Sequence, residues 1–291
     1  MYRSQGIALL QVLLITAIIT ILALYFSATA REQVKMAQLA TERAEAIIAI
    51  ETAQNRIFMA LLSELRKTNN EVSNHILANW NFYNQPFLTK NNVSVQIQDQ
   101  SGLIGIIFPD PSLIANIFQE NGVDSKLAPV LTDSLLDWQD ADKLTRLNGA
   151  ELGSYTQGPR NGSITLVNET KMVRGMTAEL WQQFGDIFTL YQRGPFNPMT
   201  APMSVLAGII GQNRAAEYVS RRNEIAISPQ QFSALTGIQE NMEQILYPGD
   251  VLEIKLSARR GEALITKTMM VELKPYANAN ELPVDYLEVR W

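Results

Sequence analysis

The stretch IALLQVLLITAIITILALYF, residues 7–26, determines how the rest of the chain is organised. It contains twenty residues without a charge, and Arg3 precedes it. At a helical rise of about 1.5 Å per residue, this run is about 30 Å long, the thickness of a bilayer's hydrocarbon core. We therefore predict that residues 7–26 form a transmembrane helix and that residues 1–6 form a separate short leader.

The residues on either side of this segment offer two possible cleavage sites, one before the apolar run and one after it. Gly6 adjoins the apolar run, so a cut between Gly6 and Ile7 would leave the helix attached to the product, as in type IV prepilins and pseudopilins. Ala28-Thr29-Ala30 also fits the small-x-small rule of signal peptidase, and cleavage after Ala30 would give a secreted protein. The length of the apolar run favours cleavage after Gly6.

Helical spacing of apolar residues continues well past the predicted span. Residues 7–67 contain no proline or glycine, so one continuous helix is expected, with residues 27–67 outside the membrane. The alternative is a single-pass anchor followed by a separate helix. The outer part is amphipathic and should pack through one face. We expect a partner on this stripe: Ala44, Ile47, Ile48, Ala53 and Ile57.

Composition excludes several classes of function. The chain has no cysteine and a single histidine, His75, which leaves little basis for thiolate chemistry or a Ser-His-Asp triad. Its net charge of −5 argues against a nucleic-acid partner. We predict a protein that is not an enzyme.

Two β-rich segments flank a long helical block. Alternation over residues 93–97 and a second apolar run at 103–108 predict a hairpin, and a second hairpin is expected over 252–273 with a final strand at 284–291. Since isolated hairpins are marginal, one sheet interrupted by an insertion is the simplest arrangement. The predicted domain parts are 68–111, 112–245 and 246–291. Within the insertion, helices are expected at 112–120, 127–139, 177–184, 201–211, 214–221 and 228–236.

An acidic cluster in the insertion matches the first, third and last ligand positions of a twelve-residue EF-hand calcium loop. With Asp140 as the first position, Asp142 is third and Glu151 twelfth, but Leu144 and Thr145 occupy the positions of an oxygen ligand and the loop glycine. A true EF-hand is therefore not expected. An irregular calcium site and simple helix capping both remain open.

The sequence Val173-Arg174-Gly175-Met176-Thr177 predicts a tight turn before a helix, a joint also found in DNA-binding helix-hairpin-helix modules. A membrane-anchored nucleic-acid-binding protein of a DNA-uptake machine is thus an alternative function. However, 13 acidic and 9 basic residues lie between Leu131 and Asp250, so the region would repel phosphates.

Several segments together resemble the protein K family of type II secretion systems, the large minor pseudopilins. They occur in family order and span almost the whole chain. They are Arg3-Ser4-Gln5-Gly6 with Ile7-Ala8-Leu9-Leu10, the run 135–142 (LLDWQDAD) with Gly149-Ala150-Glu151 and Tyr155, the run 173–180 (VRGMTAEL), and Pro198-Met199-Thr200-Ala201-Pro202 with Val205-Leu206.

The resemblance implies an α+β fold: a pilin-like long N-terminal helix packed on an antiparallel sheet, with a large all-helical domain inserted between strands. It implies calcium bound by the matching acids Asp137, Asp140, Asp142 and Glu151, although Leu152 replaces a further acid usual in the family. It also implies a single-pass inner-membrane protein with a periplasmic domain. The implied partners are other minor pseudopilins, the major pseudopilin, prepilin peptidase and the inner-membrane assembly platform.

The fifth residue after the predicted cut is Gln11, where shaft-forming pilins have a glutamate. That carboxylate can neutralise the N-terminal amine of an adjoining subunit within the apolar core, and glutamine cannot. The substitution predicts a subunit at the tip of a filament, with no neighbour above it.

Overall fold

One helix forms the axis of the protein. The computed structural model describes residues 5–66 and 74–291, with side chains from residue 8 onward. Helix α1 runs unbroken over Gln5–Ser63, which is 59 residues and about 90 Å at the standard rise. The prediction of one continuous helix is therefore confirmed over a separate anchor and helix, although α1 ends at Ser63 rather than at residue 67.

The two halves of α1 differ in burial. Its most apolar 18-residue window has a mean hydropathy of 2.5, and none of that window is buried. This part is long and apolar enough to cross a membrane. From Ala46 onward, one side of the helix packs on a sheet, and small residues such as Ala49 allow close approach.

The sheet has five antiparallel strands in the order β1-β2-β5-β6-β7. Because β2 and β5 are neighbours, the segments before and after the helical block form one sheet, as predicted. The predicted C-terminal hairpin and final strand are also present. The strands of this sheet are β1 (Phe87–Leu88), β2 (Val93–Asp99), β5 (Val251–Arg260), β6 (Ala263–Leu273) and β7 (Val284–Arg290).

The prediction of a hairpin over 93–108 is wrong. Strand β3 (Ile104–Gly105) leaves the sheet and pairs in parallel with β4 (Phe188–Thr189). The cause is a turn at Gln100–Gly102, where the Asp99 side chain accepts a hydrogen bond from Ser101 N. Alternating apolar residues predict a strand but do not specify its partner.

The helical block has its own apolar core, built on helices close to those predicted. The residues of that core lie between Ile104 and Leu246 in the sequence, and this range includes the whole predicted insert, 112–245. Gly208 packs directly on Ile117, since an added Cβ would lie 2.8 Å from the Ile117 backbone. The helices beyond α1 are α2 (His75–Asn79), before the block, and α3 (Pro111–Glu120), α4 (Leu127–Asp137), α5 (Ala178–Phe184), α6 (Met203–Ile210), α7 (Gln212–Glu224) and α8 (Pro229–Thr236).

The two ends of the sheet contact opposite ends of the packed part of α1. At the β5–β6 turn, Glu262 N donates to Glu42 Oε2 at 2.9 Å. At the other end, Arg66, just beyond α1, donates to Asp250 Oδ1 at 2.6 Å. Because β2 ends and β5 begins there, the helical block is attached to the end of the sheet farthest from the apolar half of α1.

Candidate functional site

The acidic cluster lies where α4 ends and a long loop begins. Asp137, the last residue of α4, is fully buried, and Asp140 is partly buried in the loop that follows. Asp142 is exposed, and its carboxylate accepts a hydrogen bond from Leu144 N at 2.7 Å. Glu151, at the far end of the loop, is only 7% exposed.

A basic residue that we did not predict stands between the acids. The Arg146 guanidinium donates to both Asp137 and Asp140, and Arg146 N donates to Asp137 Oδ2 at 3.1 Å. Gly149 is required beside this pair, since an added Cβ would lie within 1.9 Å of Asp137 Oδ2. Arg146 therefore joins two of the predicted ligands, and the only sequence signal for it was a cation in an acid-rich loop that also contains Lys143.

Glu151 has no such partner. Both of its carboxylate oxygens are buried without a hydrogen bond, as is Asp140 Oδ1. Burial, followed by the negative charges of Asp137, Asp140 and Asp142, raises the pKa of Glu151. Unpaired carboxylate oxygens of this kind fit a hard cation such as Ca²⁺, which binds oxygen ligands.

The cluster is not a closed metal cage in this conformation. Over residues 8–66 and 74–291, no group of three or more acidic or histidine side chains has the geometry to hold a metal ion. Leu152, which replaces the usual acid, is exposed at the surface. Arg146 occupies Asp140 Oδ2, so Asp140 Oδ1 and the two Glu151 oxygens are the atoms that would remain for a calcium ion.

The Gly175 turn packs against the same region. Gly175 has a φ of +90°, and an added Cβ would lie 3.1 Å from the Leu131 side chain on α4. Arg174 Nη1 donates to Gly149 O at 3.0 Å, and Arg174 N donates to the Tyr155 hydroxyl at 3.2 Å. The turn therefore fastens α5 to the acidic loop, which accounts for it without nucleic acid.

The fourth family-like segment, 198–202, together with the preceding Asn197, fastens the block to the sheet. Asp99, at the end of β2, is fully buried and accepts hydrogen bonds from Asn197 Nδ2 and Thr200 Oγ1, each at 2.9 Å. Gly249 N also donates to Asp99, at 3.2 Å. Gly102 must lack a side chain because a Cβ would lie 2.4 Å from Thr200 Oγ1. We did not identify Asp99 from the sequence, because it appeared to be part of an ordinary turn.

The predicted partner stripe on α1 divides into two parts. Ala53 is 4% exposed and Ile57 is fully buried against the protein's own sheet, so our prediction is corrected for these two residues. Ile48 is 65% exposed, Ala44 is exposed and Ile47 is partly exposed. Residues at 48, 52 and 59 share one helical side, and we name Ile48, Thr52 and Met59 the outer face of α1.

The remaining predicted residues lie in the apolar half of α1. Gln11 is exposed within the candidate membrane span. Gly6 and Ile7 belong to the first turns of α1, while residues 1–4 of the predicted leader lie outside the described residues.

Comparison with known proteins identifies relatives for most of the chain. A family model, "Type II secretion system (T2SS), protein K", matches residues 110–193, which include the acidic loop and the Gly175 turn. Type II secretion system protein K of Klebsiella pneumoniae is 28% identical over 206 residues, 62% of this chain. The match spans 61% of that relative's length.

A solved structure with the same fold covers more of the chain. It is from the crystal structure of the GspK-GspI-GspJ complex of the enterotoxigenic Escherichia coli type 2 secretion system. The TM-score is 0.57 at 14% identity, over 88% of this chain and 98% of that one. This match confirms the fold, a long N-terminal helix on an antiparallel sheet with an inserted helical block. Taken together, the matches show that residues 110–193 are similar to protein K of type II secretion systems and that the chain as a whole shares the fold of the solved structure.

Proposed function

We propose that this protein is a minor pseudopilin at the tip of the type II secretion pseudopilus, where it helps initiate assembly for the export of folded periplasmic proteins. The observation that carries this proposal is the position of the helical block, attached to the end of the sheet farthest from the apolar half of α1. With α1 in a bundle of parallel helices, a block at that end would obstruct a subunit stacked above it.

Gln11 supports the same position in the filament. It lies in the exposed apolar half of α1, where a glutamate would be available to the amine of an adjoining subunit. An unpaired amine in an apolar bundle is costly, so this chain is a poor base for a further subunit. Replacing Gln11 by Glu should leave assembly at the tip unchanged.

The proposed role includes processing at the N-terminus before assembly. In the proposed pathway, prepilin peptidase cuts between Gly6 and Ile7, α1 remains in the inner membrane, and the globular part lies in the periplasm. The intact mass of membrane-extracted protein tests this step, because a chain starting at Ile7 is expected. A chain starting at Met1 or Arg31 would contradict it.

The proposed partners are supported by the similarity to protein K and by the solved structure, which is a complex of GspK with GspI and GspJ. We propose that smaller minor pseudopilins pack along α1 and that the major pseudopilin and the inner-membrane assembly platform extend the filament below them.

Bound calcium is also part of this proposal. Its support is the pair of unsatisfied Glu151 oxygens and the surrounding negative charge.

Labelling of assembled filaments tests the tip assignment. A small epitope inserted beside the exposed Met242, in the helical block, can be marked with gold particles on isolated pseudopili. One label at one end of each filament is expected. The same epitope on the major pseudopilin should label the whole shaft, and repeated labels from this chain along the shaft would overturn the proposal.

A further inference from the structure

A cavity of about 310 Å³ lies between the sheet domain and the helical block. Ten of its sixteen lining residues are apolar or aromatic, a composition typical of small-molecule sites. Two arginines, Arg66 and Arg222, also line it, and none of these lining residues is acidic. The cavity is therefore apolar with a positive charge in its wall.

The charge of Arg66 is compensated. Its Nη2 donates to Asp250 Oδ1 at 2.6 Å, and its Nη1 donates to Gly249 O. Arg66 therefore needs no further anion.

Arg222 has no acidic partner. It is 7% exposed, and its guanidinium lies 4.3 Å from the centre of the Tyr83 ring. None of the ion pairs in the described parts of the chain includes Arg222, and its buried Nε has no hydrogen-bond acceptor. Burial accordingly lowers the pKa of this guanidinium. A buried cation without an anion is an unusual and costly arrangement.

A purely structural role explains only part of this arrangement. Arg222 Nη1 donates to Met199 O at 3.0 Å and to Ala201 O at 2.8 Å, so it holds the 198–202 segment against α7. These bonds do not use Nε, and they do not account for an adjoining cavity with no acidic residue in its wall. Nε itself is closed off from the cavity, but an anion that enters the cavity would compensate the charge of the guanidinium and would explain a wall without acidic residues.

We propose that this cavity binds a small carboxylate with an apolar or aromatic body. The carboxylate would pair with Arg222 in a charge-assisted hydrogen bond. The body would contact the apolar wall, to which Phe82 and Leu246 contribute. Because the wall combines parts of both domains, such a ligand would stabilise their junction.

The test uses full-length protein in detergent with phenylacetate as the probe, and it measures binding by ligand-observed NMR and by the shift in melting temperature. Phenylacetamide, which has the same body without the charge, should bind at least about tenfold more weakly. Equal binding of the two compounds would overturn the proposal. So would the absence of binding by phenylacetate, indole-3-acetate and isovalerate at 10 mM, a concentration of roughly 100 times a 0.1 mM dissociation constant.

Three variants locate the site. Arg222→Gln should lose binding, while Arg221→Gln should retain it, since Arg221 is an exposed neighbour on α7 paired with Glu217. If Arg222→Gln fails to fold, Ala226→Phe decides the question, because it fills the cavity without removing the guanidinium. Retained binding in Ala226→Phe would place the probe elsewhere and contradict the proposal.

Discussion

Two carboxylates in this protein are buried in opposite ways. Asp99 accepts hydrogen bonds from Ser101, Asn197, Thr200 and Gly249, and all of these donors are uncharged. Glu151 is almost as deeply buried, yet neither of its oxygens has a donor. The first carboxylate is fully satisfied by its own fold, whereas the second is left unsatisfied by it.

This difference suits the two carboxylates to different roles: Asp99 can hold two parts of the fold together, whereas Glu151 has oxygens free to accept a proton or a cation. A satisfied buried carboxylate orders the groups around it, and Asp99 thereby joins the sheet to the helical block. An unsatisfied one destabilises the native state unless a proton or a cation joins it. This contrast gives each region a different response to mutation, to calcium and to pH.

The largest effect is expected at Asp99. Asp99→Ala leaves several buried donors without an acceptor and should lower the free energy of unfolding by roughly 3 kcal/mol or more. Urea denaturation of the full chain measures the loss. Asp250→Ala is the control at the same end of the sheet, because the Asp250 carboxylate that pairs with Arg66 is 58% exposed and the pair should contribute less than about 1 kcal/mol. Equal losses in the two variants would contradict the fastening role of Asp99.

The next effect concerns calcium at Glu151. Binding to the native state alone should raise the free energy of unfolding by about 2.7 kcal/mol at a hundredfold excess over the dissociation constant. Melting temperatures in calcium and in chelator measure it. Glu151→Gln should remove the response, while Glu217→Gln, at an exposed pair on α7, should keep it. If the melting temperature is the same in calcium and in chelator, the calcium prediction is wrong and the acidic residues serve only to cap the helix and stabilise the loop.

A smaller effect distinguishes Glu151 from a paired glutamate in the same block. Arg160 donates to both oxygens of Glu169 at 2.6 Å, and this hydrogen bonding lowers the pKa of Glu169 from 4.5 to about 2. Because the folded-state pKa is depressed, the stabilisation is complete above about pH 4.5 and is lost as the pH falls toward about 2. Glu169→Gln should cost about 1 kcal/mol at neutral pH and flatten the acid limb of stability between those values.

Glu151 should respond in the opposite direction. Its pKa is raised, so its ionised form weakens the fold at neutral pH, and Glu151→Gln in chelator should raise the free energy of unfolding by about 1 kcal/mol. Thermal unfolding of both variants from pH 2 to pH 7 measures this contrast. If Glu169→Gln and Glu151→Gln change the free energy of unfolding in the same direction at neutral pH, the contrast between the two glutamates is wrong.

The sequence predicts where helices and strands lie better than it predicts which distant segments contact each other. The α7 and α8 helices are found close to their predicted limits because turn residues such as Gly211 and Gly237 and the Ser228 cap mark their ends. The predicted hairpin failed because strand periodicity does not say which strand lies alongside. Asp99 was missed for the same reason, since its donors at Asn197 and Gly249 are about 100 and 150 residues away.

The acidic site was only partly predictable. Spacing singled out Asp137, Asp140, Asp142 and Glu151, but it could not show that Arg146 would take a place between two of them. Nor could it separate buried from exposed members of the α1 stripe, because Ile48 and Ile57 are both apolar and lie on one continuous helix. Burial depends on where the sheet packs, which is a property of the whole fold.

The smallest effect on stability, and the most informative for assembly, is expected on the outer face of α1. Ile48 and Met59 are 65% and 69% exposed, so Ile48→Asp should change the free energy of unfolding by less than about 0.5 kcal/mol. It should nevertheless abolish co-purification with co-expressed smaller minor pseudopilins, because an unpaired charge would be buried in the helix interface.

Two further variants isolate this effect. Met242→Asp places the same charge at a 94% exposed apolar residue of the helical block and should leave co-purification intact. Ile57→Asp should instead unfold the domain, because Ile57 lies in the core against the sheet. If Ile48→Asp co-purifies as well as the unchanged protein, the partner helices pack on another side of α1, and the exposed position of Ile48 has no part in the complex.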